Sequence, residues 1–335
     1  MTYQSMAQST LIVLLLLTVS HATSAKDSKG AIAFTLENDL FGSGSDRHYT
    51  SGFQLSYISD TYHPKWIDSV AALVPFYRSS ENMRFGVAIG QAIFTPSNIS
   101  EEKLIESDRP YAGWLYSTFS LTSDGRSGSS DSPQLFRYAN AVDITLGIVG
   151  PSAGAEETQK TVHKWVNTTE PKGWDNQLKD EFGFNIAYTR LWQYPLSKYV
   201  DITPQFGFSV GNIYTFASTG VMLRFGYPLG KDFGPPLIRP SSVGSSYFKP
   251  KTSFEWYTFA GFSGRYVGRN IFLDGNTDKN SHSVDKKRWV GDLQAGIVVN
   301  FGNLQMGVTQ IYRTNEFDDQ KEKNQFGSIN IIWRY

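Results

Sequence analysis

Between Trp289 and Phe301 the chain alternates: Trp289, Leu293, Ala295, Ile297, Val299 and Phe301 share one face, and Asp292, Gln294 and Asn300 share the other. A period of two marks a β-strand, and an apolar face of this length opposite a polar one is the lipid-out, lumen-in pattern of a membrane β-barrel. The last ten residues repeat it, with Ile329, Ile331, Trp333 and Tyr335 against Ser328, Asn330 and Arg334. Comparable segments fall near 31–40, 49–59, 82–94, 111–122, 136–149, 181–194, 199–214, 217–227, 251–268 and 303–314, so the pattern predicts twelve strands. An even number of tilted strands of about ten residues fits a closed antiparallel barrel, because an open edge in lipid would leave backbone groups unpaired.

Between the strands, Gly, Ser, Pro and Asp gather at Thr122 to Pro133, Gly230 to Pro250 and Leu273 to Lys287, which read as loops. Pro151 to Lys179 differs. It follows the breaker Gly150-Pro151, and its window Ala155 to Trp165 places Glu156 and Glu157 early and Lys164 late, as the helix dipole favours. One helix is predicted there, at the barrel rim.

The first 25 residues hold an apolar run from Leu11 to Val19 followed by small residues, which reads as an export signal with cleavage after Ala22 or Ala25. Residues 26–335 then form a single barrel domain. Lys plus Arg and Asp plus Glu both number 31, so no basic excess recommends a nucleic-acid partner. With no cysteine, disulfides, thiolate catalysis and Cys-ligated zinc are excluded together. Aromatics reach 15%, which suits interfacial girdles.

Polar groups that interrupt this pattern are the candidates for chemistry. Gln159 and His163 are four apart, so a helix puts both on one face. Glu37-Asn38-Asp39 closes the first strand. Alternation turns Ala33, Thr35, Glu37 and Asp39 inward and Asn38 outward, while Tyr49, Phe53, Leu55 and Tyr57 flank inward Thr50, Gln54 and Ser56, so that Asp39 and Thr50 can face each other. Asn38 and Asp39 offer the oxygen donors a hard cation such as calcium prefers. An isolated Asn-Asp pair is more often a strand-ending turn. His48, His63 and His282 fall in predicted loops, so His163 alone has a helical partner one turn away. Leu273 to Asp278 mimics the start of a calcium loop, but Lys279 occupies the required glycine position. No Gly-x-Ser-x-Gly or His-Glu-x-x-His motif is present.

Several segments together resemble the lipid A 3'-O-deacylases of Gram-negative outer membranes: Glu37-Asn38-Asp39, Tyr49-Thr50-Ser51-Gly52, Ile89 to Ser97, Asp108-Arg109-Pro110-Tyr111-Ala112-Gly113, and Leu146 to Pro151 running through Gln159 and His163 to Trp174 and Gln177. The resemblance covers most of the first 190 residues and implies a twelve-stranded barrel whose site lies between the outer wall and a helix near the extracellular leaflet. It implies calcium as cofactor and lipid A, or lipopolysaccharide, as substrate among the outer-membrane lipids. By motif, His163 would be the base that activates water, Gln159 would orient water or substrate, and Asp39 with Asn38 and Thr50 would form the calcium region. Asp108 and Arg109 are expected at the substrate, as is Lys103, which would stand in for a lysine that relatives carry closer to the segment matching Thr95-Pro96-Ser97. Arg47, Lys160 and Lys164 are further candidates for lipid phosphates. A passive pore and an outer-membrane phospholipase are the alternatives, and the oligomeric state is open.

Overall fold

Alternation of apolar and polar residues closes the chain on itself. The computed structural model describes residues 30–39, 48–61, 82–127, 136–229, 232–235, 252–321 and 324–335, together with Ser69 and Phe248. The expected export signal, Arg47 and His63 lie outside these residues. Twelve antiparallel strands form one closed barrel: β1 (Gly30–Asn38), β2 (His48–Ser59), β3 (Asn82–Thr95), β4 (Ala112–Ser127), β5 (Phe136–Val149), β6 (Glu181–Pro195), β7 (Val200–Gly211), β8 (Tyr214–Tyr227), β9 (Phe254–Asn270), β10 (Trp289–Phe301), β11 (Leu304–Arg313) and β12 (Asn324–Arg334). Each strand pairs with its sequence neighbours, and β1 closes on β12 from Ala31↔Arg334 to Asn38↔Gly327. No described helix is long and apolar enough to cross a membrane; the strands supply the apolar band instead.

The outward row of each strand is apolar and exposed, as at Phe34, Leu55, Ile89, Ile186, Phe262 and Leu293, while the inward row is buried and polar. Both termini of the barrel meet where the Tyr335 amide donates to the Gly30 carbonyl at 3.3 Å. The connections after β1, β3, β5, β7, β9 and β11 all leave from the opposite end, called here the loop end.

Side chains fill the lumen at two levels. At the loop end a short helix, α2 (Ile271–Asp274), second in the chain after α1 (Ala155–Val166), turns inward so that Phe272 stacks on Phe94 with ring centroids 3.9 Å apart. Tyr49, Tyr214 and Phe326 complete this layer. At the other level Asp232 lies among Arg224, Tyr257 and Gln193. Between them remains a cavity of about 170 Å³.

Three expectations are corrected. Tyr49 faces inward because a bulge between Tyr49 and Ser51 shifts the register at the head of β2, which reverses alternation there. His48 opens β2 and does not lie in a loop. The predicted loop Leu273 to Lys287 begins with the end of α2, a single turn too short to show a helical period.

Candidate active site

The rim helix forms where its signals predicted. After β5, a turn at Pro151–Ala153 leads to Gly154, whose left-handed backbone (φ 66°) caps α1 (Ala155–Val166). Glu156 and Glu157 occupy the first turn of α1, and His163 and Lys164 the last. The helix lies directly on the outer wall at Gly113, where an added Cβ would sit 2.5 Å from the Cβ of Ala155. The Gln91 amide, on the outward row of β3, donates to the Ala153 carbonyl at 2.7 Å and ties the turn down. Ala155, Gln159 and His163, four apart, form the buried face.

The chain after α1 folds back to fix both polar groups on that face. Asn167 takes a left-handed conformation (φ 52°), and its amide and that of Thr168 donate to the His163 carbonyl. The Thr169 carbonyl then meets Nδ1 of His163. A carbonyl only accepts, so Nδ1 carries the proton and, in the neutral ring, Nε2 carries the basic lone pair. Further on, Trp174 is buried with Ile93, Ile99, Tyr111 and Ala155. Its indole N–H donates to Oε1 of Gln159 at 2.9 Å. That bond sets the amide orientation and leaves Nε2 of Gln159 buried without an acceptor. Burial raises the neighbouring Tyr111 hydroxyl to about 12, with an opposing pull from the Gly173 backbone, so it stays neutral and bonds the Ile99 carbonyl.

Strand register supplies the other half of the site. Asn38 pairs with Ser51, Ser51 with Ile93, and Ile93 with Gly113, a lateral row across β1 to β4 that ends beneath Ala155. The turn packs on β5 and β4, and α1 on β4 and β3, so the segment travels toward β2 and β1. From Ala155 to His163 is about 12 Å of helix, so α1 crosses from β4 over β3 in the direction of β2. The outward aim of Asn38 therefore points it to the helix side of the wall. Asp39 and Thr50 adjoin the last pair of that ladder, Asn38↔Ser51, in sequence, and both are buried. Thr50 is corrected from the lumen: the bulge leaves its hydroxyl 2.6 Å from that of Thr95, which continues the outward row of β3.

Asp39, Asn38 and Thr50 offer a carboxylate, an amide oxygen and a hydroxyl, a donor set suited to a hard cation. Among the described residues no group of three or more His, Cys, Asp and Glu could hold a metal. Neutral oxygens, backbone carbonyls and water would have to complete a calcium shell, and six to eight oxygen ligands of that mixture are ordinary for this ion.

The expected substrate contacts separate. Asp108 accepts from the amide and hydroxyl of Ser97 at 2.7 and 2.6 Å and from the amide of Arg109 at 2.8 Å, so its carboxylate braces the β3–β4 connection. Arg109 is 1% exposed, pairs with Glu316 at 2.9 Å and lies between the rings of Phe94 and Phe317. Its guanidinium belongs to the interior, and taking a lipid phosphate would mean breaking a desolvated ion pair. The structure thus places Asp108 as a brace of the β3–β4 connection and Arg109 in a buried ion pair with Glu316. Lys103 is exposed on the same connection, and Lys160 pairs with Glu156 at 2.6 Å. His282 bonds the Asp108 carbonyl at 2.8 Å. Sequence reasoning passed over Gln91 as a working residue. The signal was there: a polar side chain among Val87, Ile89 and Ile93 on the row that should face lipid.

A family model described as "Outer membrane protein LpxR" matches residues 10–335. Among solved structures, LpxR from Salmonella typhimurium is similar with a TM-score of 0.71 at 19% identity, covering 91% of this chain and 100% of that one. The β domain of the Bordetella autotransporter BrkA matches at 10% identity with a TM-score of 0.44, over 92% of this chain and 100% of that one. The NalP translocator domain from Neisseria meningitidis matches at 11% identity with a TM-score of 0.36, over 99% and 96%. At 19% identity the likeness to LpxR from Salmonella typhimurium is one of fold. No curated protein matched the chain.

Proposed function

Because the chain belongs to the LpxR family of outer membrane proteins, we propose that it is an outer-membrane esterase that removes the 3'-position ester-linked acyl chain of lipid A in a cleft between α1 and the outer wall. One observation carries this reading: the Thr169 carbonyl holds the Nδ1 proton of His163, which leaves Nε2 as a base on the buried face that also presents the Gln159 amide donor. A base and a fixed N–H donor beside each other are what ester hydrolysis by water requires.

In this mechanism Nε2 of His163 takes a proton from water as its oxygen attacks the ester carbonyl. Nε2–H of Gln159 donates to the carbonyl oxygen as negative charge develops there, and Trp174 keeps the amide from turning over. The protonated imidazole then passes its proton to the departing sugar oxygen, releasing a fatty acid and a free hydroxyl. Asp39, Asn38 and Thr50 would hold a calcium ion, which when bound would stabilise the same developing charge. No covalent intermediate is needed.

The filled lumen weighs against a passive pore, since Phe272, Phe94, Tyr49 and Phe326 occupy its loop end. The helix lies on the outer wall, where a membrane lipid can reach it without leaving the bilayer. Its place at the loop end, opposite the meeting termini, supports an extracellular-leaflet position. The test is to incubate the purified protein in detergent with lipid A, with calcium or with chelator, and to weigh the products. Calcium-dependent loss of one 3'-linked acyl group is expected. Unchanged lipid A in every condition, or acyl release from glycerophospholipids alone, would overturn the assignment.

A further inference from the structure

The lipid-facing wall holds a cation with nothing to bond. On β6 the exposed side chains Phe182, Phe184 and Ile186 mark the outward row, and alternation continues it through Tyr188, Arg190, Trp192 and Tyr194. No bulge interrupts the register there: Arg190 pairs with Asn140 of β5 and with Phe206 of β7, and Trp192 pairs with Tyr138. Arg190 therefore stands on the face that meets lipid, where a cation is costlier the nearer it lies to the bilayer centre. Among the described residues its guanidinium makes no ion pair and no hydrogen bond, and its Nε is buried without an acceptor. The neighbouring amide is already engaged, since Asn140 donates to Ser123 at 3.2 Å and accepts from the Tyr188 hydroxyl at 3.0 Å.

Two ring contacts fix where that cation points. The guanidinium carbon lies 5.4 Å from the centre of the Tyr138 ring and 5.3 Å from that of Trp192. Tyr138 and Trp192 form the next outward pair toward the end where Tyr335 meets Gly30, so the side chain leans toward that end and away from the loop end. The rings offer their faces to a cation but no oxygen, and the N–H donors of the guanidinium still need acceptors. From Phe182 to Trp192 is about 25 Å of height at the usual rise and tilt, the full apolar band, which puts Trp192 at a girdle and Arg190 about 5 Å inside it. A guanidinium leaning outward from that depth reaches the headgroup level, where its planar fork matches the anionic oxygens of a phosphate. The leaflet follows from the orientation argued above: with the loop end in the lipid A leaflet, this end meets the glycerophospholipids of the opposite one.

We propose that Arg190, held between Tyr138 and Trp192, binds the phosphate of a glycerophospholipid in the periplasmic leaflet, at the opposite end of the wall from the cleft under α1. The site anchors the barrel and takes no part in hydrolysis. It shares only the orientation of the barrel with the proposed esterase, so failure of that activity leaves it standing.

The full chain is purified, stripped of lipid in detergent, incubated with dioleoylphosphatidylglycerol and counted for retained lipid by native mass spectrometry. Wild type is expected to keep one molecule, and Arg190→Met to lose roughly tenfold or more of that retention, the effect of removing hydrogen bonds to a charged group. Arg288→Gln, which removes an exposed cation beside Tyr266 at the loop end, is expected to retain it. Dioleoylglycerol, which lacks the phosphate, should be held weakly and equally by wild type and Arg190→Met. Because Arg190 has no hydrogen-bond or ion-pair partner in the protein to lose, its unfolding temperature in lipid-free detergent should not fall on substitution by Met, which shows the barrel intact. Equal retention of phosphatidylglycerol by wild type and Arg190→Met would overturn the proposal, as would an equal loss in Arg288→Gln. An Arg190-dependent preference for lipid A over phosphatidylglycerol would overturn it too, by placing this end in the other leaflet.

Discussion

Two polar regions lie close together at the loop end of this barrel and are built on opposite terms. Inside the lumen, Arg109, Arg265 and Arg313 surround Glu316 and Asp292, with Arg313 on Asp292 at 2.7 and 3.1 Å and Arg109 on Glu316 at 2.9 Å. Outside, on the buried face of α1, there are one imidazole and one amide, those of His163 and Gln159. The charged region is the internally paired one: three arginines share two carboxylates, and burial makes the pairs costly to break. The sparse region keeps the reactive features, a histidine with its tautomer fixed and an amide donor left without an acceptor. Charge density in this protein marks where the fold is braced, and the unsatisfied amide lies where the chemistry is proposed.

The contrast predicts that substitutions divide by effect. Asp39→Ala should have the largest consequence for catalysis, a loss of about a thousandfold or more in acyl release together with loss of calcium dependence, since a metal electrophile contributes several kcal/mol. Both are read from product masses across a calcium titration. Gln159→Ala should lower kcat by about 10²- to 10³-fold, the usual cost of one oxyanion donor, with KM little changed. A large rise in KM instead would make Gln159 a substrate-binding group only.

Lumen substitutions should do the reverse. Arg109→Met strips Glu316 of a buried partner and should cost about 3–5 kcal/mol of stability while the intact fraction hydrolyses at the wild-type rate. Thermal unfolding and specific activity measured on one sample separate the two. The same cluster sets a pH dependence. Burial alone would raise Glu316, but Arg109, Arg313 and Arg265 pull it down to about 2, below its ordinary value of 4.5. A carboxylate lowered on folding adds stability above its unfolded value and loses it as pH falls, so the unfolding temperature should drop between pH 4.5 and 2. Glu316→Gln should flatten that drop. Smallest of all, Lys103→Gln should change KM by less than about tenfold and leave stability alone, as expected of an exposed cation.

How much of this was legible depended on period and on breakers. The strand from Trp289 to Phe301 was readable because every second residue obeys one rule, and α1 because Gly150-Pro151 ends one period and a helical one follows. Thr50 was misplaced because a bulge carries no signature in composition, and a shift of one residue exchanges inside for outside. The surroundings of Arg109 were hidden for a different reason. Its partner Glu316 lies far along the chain on the β11–β12 connection, and nothing local distinguishes a lumen arginine from one at the rim. Gln159 and His163 were visible as a helical pair. Their fixing by Trp174 and Thr169 depended on the return path of the chain, which spacing alone does not reveal.

Hydrolysis on the outer wall under α1, with His163 as the base, is the proposal on which the rest depends. The most direct measurement is the rate of 3'-acyl release from lipid A by wild type, His163→Ala and Arg109→Met in the same calcium-containing detergent, each normalised to folded protein. The account predicts a fall of about 10²- to 10⁴-fold for His163→Ala and none for Arg109→Met. Near-native release by His163→Ala, or loss confined to Arg109→Met, would contradict it.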